Sequence, residues 1–217
     1  PSNDIMNKIA RGVLASYSYD SDPENRDVTN VMRQCLELIS RFSTLAAYAY
    51  QAKLRYYDGK SMYIHNPVPE LSTAENFLRL IRFDGKYTKL EAQILDLALI
   101  LHAEHGGGNN SSLTVHVVSS ADTDTYSAIA AAVGSLKGRR HGGANMMVME
   151  MMDDIKANVK DWSNEKEIKE YLRKIVRKEA FNRTGLIYGQ GHAVYTVSDP
   201  RAILLRDKAA ELAKEKN

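Results

Sequence analysis

The 217-residue chain contains one cysteine, Cys35, and only five prolines. A single cysteine excludes an intrachain disulfide framework and any cysteine-rich zinc module. Charge of one sign is not in excess either, because 29 Lys and Arg residues stand against 27 Asp and Glu residues, a formal net charge of +2. This balance gives no electrostatic indication of binding to nucleic acid or to an anionic membrane surface. No apolar run approaches the roughly 18 residues that a membrane-spanning helix requires.

The chain begins at Pro1, without Met, a signal peptide or a targeting segment. We therefore expect a processed protein or a piece of a longer one, and the missing targeting signals say little about a parent protein. With 44% apolar residues, the chain can still bury a sizeable core, in one large domain or two small ones.

Apolar residues recur every three or four positions along nearly the whole chain, which is the spacing of helices with one buried face. The segment that follows Asp27 shows this spacing from Val31 to Leu45. β-branched residues cluster only at Thr114–Val118, and that stretch lies between helical segments. Five of the eight methionines lie within Met146–Met152, where flexible thioethers favour packing between helices or domains. The sequence therefore predicts an all-α fold.

Four places carry the signal of a helix start. Ser72–Glu75 and Thr88–Glu91 fit the capping box, in which a hydroxyl and a carboxylate three residues apart each accept the other residue's backbone N–H. Asn164–Glu167 resembles a third box, with Asn as the cap. Asp199-Pro200 combines a good N-cap residue with Pro at the first helical position, which predicts a last helix from there.

Three histidines, His105, His141 and His192, each lie beside glycine, in the segments HGGGN, GRRHGGAN and GQGHAV. Glycine lets the backbone approach a ligand closely, and histidine beside glycine at a helix end suits recognition of a polar small molecule. A lone histidine of this kind is most often structural. The recurrence of histidine beside glycine at three places favours a binding or catalytic role.

A metal site is one alternative interpretation of these histidines. His102 and His105 are three residues apart and could share a helix face, but zinc peptidases space their two ligands four apart. His116 or His141 could add a third ligand, although no spacing specifies one. Metal binding is therefore the weaker hypothesis, and we expect no metal.

An anion site is better supported. Nucleotide motifs are absent, because Gly189-x-Gly191 lacks the third glycine of the dinucleotide fingerprint and no Walker-type loop or nucleophile elbow occurs. Ser198-Asp199-Pro200-Arg201 places Arg201 in the first turn of a predicted helix, where backbone N–H groups and the helix dipole favour negative charge. The guanidinium fork of Arg matches a carboxylate. A solvated helix start is the other interpretation.

Taken in order, these segments resemble three successive motifs of the citrate synthase family. The matching segments are His105–Asn109, Gly138–Asn145, Gly189–Val194 with Asp199–Arg201, and the intervening Asp122–Leu136. Separations of 36 residues from His105 to His141 and 9 residues from His192 to Arg201 also fit the family. The similarity covers nearly the whole chain, more loosely before about residue 70.

The resemblance implies an all-α homodimer whose large and small domains close over the active site. Residues 1–145 would belong to the large domain and residues 146–217 to the small one. The implied reaction is a Claisen-type condensation of acetyl-CoA with oxaloacetate, followed by thioester hydrolysis to citrate and CoA. Acetyl-CoA would be a co-substrate, without any tightly bound cofactor. A cytoplasmic location is implied for a bacterial parent, although a removed targeting segment would leave no trace here.

Residue roles follow by motif. His141 would hydrogen-bond the thioester oxygen as acetyl-CoA enolises, and His192 would polarise the carbonyl of oxaloacetate. His105 and Arg201 would bind the dicarboxylate. The residues expected near the adenine of CoA are Leu186, Ile187, Tyr188, Gly189 and Gly191.

One departure from the family concerns its general base, an aspartate well downstream of the Asp-Pro-Arg motif. Asp207 and Glu211 follow that motif here but lack the matching context. We therefore expect an internal fragment of roughly half a citrate synthase, inactive in isolation. Two alternatives stay open. One is a 2-methylcitrate synthase using propionyl-CoA, since one methylene discriminates weakly. The other is a fragment that acts only as a helical scaffold or ligand-binding module.

Overall fold

Helices make up the regular structure of this chain. The computed structural model describes residues 2–103, 107–190 and 197–216. Within these ranges there is no strand, and Thr114–Val118 lies inside a helix, so the predicted all-α fold is confirmed. In chain order the helices are α1 (Ile5–Ser16, followed by a 3₁₀ turn at Tyr17–Tyr19), α2 (Val28–Tyr56), α3 (Thr73–Ile81), α4 (Lys89–Leu101), α5 (Asn110–Ser119), α6 (Thr125–Leu136), α7 (Ala144–Asn158), α8 (Glu165–Val176) and α9 (Pro200–Lys216). None of the helices in the described ranges has both the length and the apolar character needed to cross a membrane.

Contacts between residues divide the chain into two units. One unit comprises residues 1–135 together with 198–217, and the other comprises residues 136–197. This division differs from the sequence-based boundary between residues 145 and 146. The turn before α7 packs on Leu136 and therefore falls in the second unit, whereas α9 packs on α4 and falls in the first. The assignment of residues 1–145 and 146–217 to a large and a small domain stays a prediction.

The core of the first unit joins α1, α2 and α6. Its buried cluster consists of Ile9, Val13, Leu38, Ala49, Tyr126 and Val133. Helix α3 packs against both α2 and α4, and α9 packs against α4. Near the end of α9, the Nζ of Lys216 pairs with Glu91 of α4 at 2.8 Å. The last helix is therefore anchored to the first unit by packing and by an ion pair.

The core of the second unit forms between α7 and α8. Its buried cluster consists of Met151, Ile155, Val159 and Ile175. The hydroxyl of Tyr171 on α8 donates a 2.7 Å hydrogen bond to Asp154 on α7. The predicted packing role of the methionine-rich stretch is confirmed for Met151. Met146 and Met149 are 58% and 61% exposed, so for them that role stays a prediction.

The capping signals fix where several helices begin. At Ser72–Glu75 and Thr88–Glu91 both reciprocal hydrogen bonds of the capping box are present, which confirms these two predictions. The third predicted box is wrong in one respect. Asn164 caps α8, but the carboxylate of Glu167 accepts the backbone N–H groups of residues 160–161 rather than that of Asn164. The preceding loop folds close enough to compete for this side chain.

A buried carboxylate joins three parts of the first unit. The side chain of Asp20 has no exposed surface. Its Oδ1 accepts a 2.7 Å bond from Arg33 Nη2, and its Oδ2 accepts bonds from the Tyr126 hydroxyl at 2.7 Å and from Gln34 Nε2 at 3.0 Å. Burial by itself raises the pKa of Asp20, but hydrogen bonds from the Asp22 backbone N–H and from these three side chains hold that pKa well below its usual range. Asp20 is therefore a paired charge within the core, and loss of one partner is costly.

Tyr126→Phe removes the hydroxyl that donates to Asp20 and leaves the ring in place. We expect the free energy of unfolding to fall by about 1.5–3 kcal/mol, the range for a hydrogen bond to a charged group. Urea unfolding followed by circular dichroism measures the change. Tyr19→Phe is the control, because Tyr19 is 83% exposed, and it should stay within about 0.5 kcal/mol of the unsubstituted chain. Equal stability of the two variants would contradict the role of the buried bond.

The same pair predicts a loss of stability at alkaline pH. Burial, together with the hydrogen bond to Asp20, raises the pKa of Tyr126 to about 12. The folded state thus keeps a proton that an unfolded tyrosine loses near pH 10, so the contribution is complete below about pH 10 and is lost as the pH rises toward about 12. We expect the stability difference between the unsubstituted chain and Tyr126→Phe to be constant from about pH 7 to about pH 9 and to shrink above about pH 10.

Urea unfolding at each pH checks this expectation. Burial also raises the pKa of Tyr171 to about 12, but Tyr171 titrates in both proteins and cancels in the difference. A difference that stays constant up to about pH 12 would show that Tyr126 does not titrate as the geometry requires.

Candidate active site

His141 lies in the short turn, residues 137–143, between α6 and α7. Its backbone N–H donates to the Gly138 carbonyl at 2.9 Å, and its own carbonyl accepts the Ala144 N–H at 3.0 Å. The side chain is half-buried. The backbone of His141 is therefore fixed on both sides just before α7 begins, which confirms its predicted position at the start of a helix.

Two glycines let this turn close against the end of α6. A Cβ atom at Gly142 would lie 2.5 Å from Leu136 Cδ1 and 2.8 Å from the Leu136 carbonyl oxygen. A Cβ atom at Gly143 would lie 2.6 Å from the Lys137 carbonyl oxygen. These separations are shorter than any ordinary van der Waals contact, so a side chain at either position would push the turn away. The position of His141 thus depends on glycine, which has no side chain, at the next residue, Gly142.

Residues 186–189, which are expected near the adenine of CoA, are attached to the core of the second unit. Ile187 and Tyr188 pack against the buried cluster of α7 and α8. The Tyr188 ring meets the Phe181 ring edge to face, with centroids 6.0 Å apart. Gly189 has φ of 86°, a conformation that favours glycine, and Leu186 is 56% exposed. Ile187 and Tyr188 therefore anchor the loop, while Leu186 presents an apolar surface and Gly189 an exposed backbone.

Arg201 lies in the first turn of α9, as predicted, because α9 begins at Pro200. Oδ1 of Asp199 accepts the backbone N–H of Arg201 at 2.9 Å, which caps the helix. The same carboxylate contacts the guanidinium group, with Nη2 2.8 Å from Oδ2. Sequence reasoning assigned Asp199 to the cap and missed this ion pair. The signal that could have found it is an arginine two residues after an aspartate N-cap.

The predicted site residues that the structure describes fall in both units. His141 and residues 186–189 belong to the second unit, and Arg201 belongs to the first. Three further candidates, His105, Gly191 and His192, lie outside the described residues, so their roles stay predictions.

The metal alternative gains no support from the described part of the chain. No group of three His, Cys, Asp or Glu side chains there is arranged to hold a metal ion. Nδ1 of His102 lies 2.6 Å from the Ala98 carbonyl oxygen, one turn earlier in α4. That histidine therefore interacts with its own helix.

Gly142→Ala tests the close approach at the His141 turn. We expect the free energy of unfolding to fall by about 1–3 kcal/mol, because the added methyl group overlaps the Leu136 backbone. Gly134→Ala in α6 is the matched control, since a Cβ atom there meets nothing within 4 Å, and it should gain up to about 1 kcal/mol from helix propensity. Urea unfolding measures both, and the NMR signals of the His141 ring report its displacement. An unchanged midpoint together with unchanged ring signals in Gly142→Ala would contradict the proposed contact.

Comparison with known proteins places this chain among relatives of one kind. A family model described as the C-terminal domain of citrate synthase matches residues 1–217. A citrate synthase from Deinococcus radiodurans is 36% identical over 197 residues, which cover 89% of this chain and 47% of that protein. A citrate synthase from Haloferax volcanii is 36% identical over 207 residues, covering 93% of this chain and 49% of that protein.

A solved structure agrees with these relatives. The crystal structure of citrate synthase from Thermotoga maritima MSB8 matches with a TM-score of 0.69 and 26% identity, covering 97% of this chain and 50% of that chain. The chain spans about half the length of the curated relatives it matches. With an all-α fold, a family model matching throughout and relatives above 30% identity, the chain belongs to the citrate synthase family.

Proposed function

We propose that the candidate residues described above, among them His141 and Arg201, belong to the active site of a citrate synthase. This enzyme condenses acetyl-CoA with oxaloacetate and then hydrolyses the thioester to citrate and CoA. The observation that carries this proposal is the His141 turn, where hydrogen bonds hold the backbone of a histidine directly before a helix. Membership of the family supports the same reaction. Because the chain spans about half the length of its relatives, the activity of the whole protein is itself part of the proposal.

The proposed role of His141 follows from the charge that the reaction creates. Removing a proton from the methyl group of a thioester places negative charge on the carbonyl oxygen. A donor already fixed at that oxygen stabilises the charge without reorganising as it develops. The two backbone hydrogen bonds that flank His141 supply this kind of fixation. His141 therefore donates to the thioester oxygen while acetyl-CoA enolises.

The other substrate is a dicarboxylate with a ketone group. Its carboxylates need cationic or neutral donors, and Arg201 and His105 fill this role in the proposal. Arg201 is well suited, because its planar fork matches a carboxylate and the N-terminus of α9 favours negative charge. His192 polarises the ketone carbonyl, which makes its carbon a better target for the enolised acetyl group.

The loop at residues 186–189, together with Gly191, is proposed to lie near the adenine of CoA. The exposed side chain of Leu186 offers an apolar surface for a flat ring. Gly189 carries no side chain that would block an approach to the backbone. Acetyl-CoA enters and CoA leaves as free molecules, so we propose no tightly bound cofactor.

The complete reaction also requires a general base, which in the family is an aspartate. The aspartate of the family has no motif match within residues 1–217. We therefore propose that this chain binds oxaloacetate without completing turnover. A homodimer and a cytoplasmic location in a bacterium belong to the same proposal and rest on the family alone.

Oxaloacetate binding to the 217-residue chain tests the proposal. We expect a saturable titration by calorimetry, and Arg201→Ala should weaken the affinity about tenfold to a hundredfold, the cost of losing hydrogen bonds to a charged group. Arg206→Ala is the matched control, because Arg206 lies on the same helix, pairs with Asp207 and is 72% exposed. Its affinity should equal that of the unsubstituted chain.

A thiol-release assay with acetyl-CoA and oxaloacetate completes the test. We expect no CoA release above the rate without protein, and propionyl-CoA serves as a second acyl donor. A folded chain that binds no oxaloacetate would contradict the proposed site. Robust CoA release would show that the base lies within residues 1–217, and its acyl preference would separate citrate from 2-methylcitrate synthesis.

A further inference from the structure

Helix α9 contacts the rest of the first unit through a narrow face. It packs against α4, yet none of its 17 residues, all of which the structure describes, is buried. Leu205, Lys208 and Leu212 are half-buried, and the other residues of α9 are exposed. These three positions form one stripe along the helix. A stripe with two leucines removes little apolar surface from water, so packing alone holds α9 weakly.

An ion pair adds a second contact near the end of α9. Nζ of Lys216 lies 2.8 Å from Oε1 of Glu91 on α4. The Glu91 side chain is 10% exposed, whereas that of Lys216 is 54% exposed. Because the carboxylate is largely shielded from water, this pair contributes more than a fully exposed one. Its contribution is therefore large beside the weak packing of the same helix.

Glu91 is held in place independently of Lys216. Its Oε2 accepts a 2.7 Å bond from Arg82 Nη1 and a 2.8 Å bond from the Thr88 backbone N–H, the latter within the capping box of α4. Hydrogen bonds from Arg82, Lys216 and the Thr88 backbone hold the pKa of Glu91 well below its usual range. With two of these three partners outside α9, the carboxylate stays charged and fixed whether or not α9 is in contact.

We propose that α9 is a detachable helix, which docks on α4 and leaves it while the core of the first unit stays folded, and that the Glu91–Lys216 ion pair controls this equilibrium. Local opening is typical of segments that bury few apolar side chains. An isolated helix of 17 residues is only marginally stable in water, so release also unwinds α9.

Release of α9 has a consequence for the candidate site, because this helix carries Arg201 in its first turn. The equilibrium between docked and released α9 therefore governs where the backbone of Arg201 lies. The detachment itself goes beyond the function proposed for Arg201 and does not depend on it.

The test substitution has to remove the ion pair and leave both helices intact. Lys216→Gln does so, because glutamine and lysine have similar helix propensities and Glu91 keeps its hydrogen bonds from Arg82 and Thr88. Lys214→Gln is the matched control, since Lys214 lies in the same last turn and is likewise exposed. Both variants lose one positive charge that interacts favourably with the helix dipole. Of the two lysines, Lys216 is the one that pairs with Glu91.

Amide hydrogen exchange of the 217-residue chain, followed by mass spectrometry, measures the opening of α9. In the unsubstituted chain we expect α9 to exchange faster than α1 and α2, because it opens without unfolding of the core. Lys216→Gln should speed exchange in α9 about threefold to tenfold, between the loss of an exposed ion pair and that of a hydrogen bond to a charged group. Lys214→Gln should stay within about twofold of the unsubstituted chain, and α1 and α2 should exchange equally in all three proteins.

Salt provides a second measurement on the same proteins. Raising the ionic strength from about 0.1 M to about 1 M shortens the Debye length from about 10 Å to about 3 Å. This screening weakens an ion pair whose lysine is 54% exposed. Exchange of α9 in the unsubstituted chain and in Lys214→Gln should therefore rise toward that of Lys216→Gln, which should itself change little.

Two results would overturn the proposal. Equal exchange of α9 in folded Lys216→Gln and Lys214→Gln chains would show that the ion pair does not hold the helix. A common exchange rate for α9 and the core helices in every variant would show that α9 does not open by itself. Oxaloacetate takes no part in either measurement, so a failure of the proposed function and a failure of this inference are separate results.

Discussion

The buried carboxylate of Asp20 is the interaction on which the first unit depends. It lies in the connection between α1 and α2, and it accepts hydrogen bonds from Gln34 and Arg33 on α2 and from Tyr126 on α6. A charge without water must have its acceptor positions filled, so these segments can pack only where their donors reach Asp20.

Asp20 and Asp199 each pair with an arginine, and their surroundings give them different roles. The Asp20 side chain has no exposed surface, and three side-chain donors from other segments hydrogen-bond to it. These hydrogen bonds therefore stabilise the packing of the helices against one another. Asp199 has its arginine partner within its own helical turn. That contact joins no distant segments and adds little to the fold. What it can change is the freedom of the Arg201 side chain, and this matters only if Arg201 meets a ligand.

The features that could be predicted from the sequence are those whose partners lie within one turn of chain. The boxes at Ser72 and Thr88 and the start of α9 follow from residues three or fewer positions apart. The Asp20 pairing could not be predicted, because Asp20 and Tyr126 are 106 positions apart. The box at Asn164 failed for a related reason, since the loop before α8 folds back and takes the Glu167 carboxylate. Motif resemblance located His141 and Arg201, but only the structure shows which groups contact them.

Two of the described candidate residues, His141 and Arg201, lie at the start of a helix. A helix start leaves backbone N–H groups that need acceptors, and the chain meets this need with tight turns and side-chain caps whose geometry permits little variation. His141 lies in such a turn before α7, and Asp199 and Arg201 lie at the start of α9. Side chains at these points emerge from backbone that is already fixed for reasons of stability. A reaction that develops charge on a carbonyl oxygen gains from donors that need no reorganisation. The hydrogen bonds that begin each helix therefore also provide the rigidity that the proposed chemistry needs.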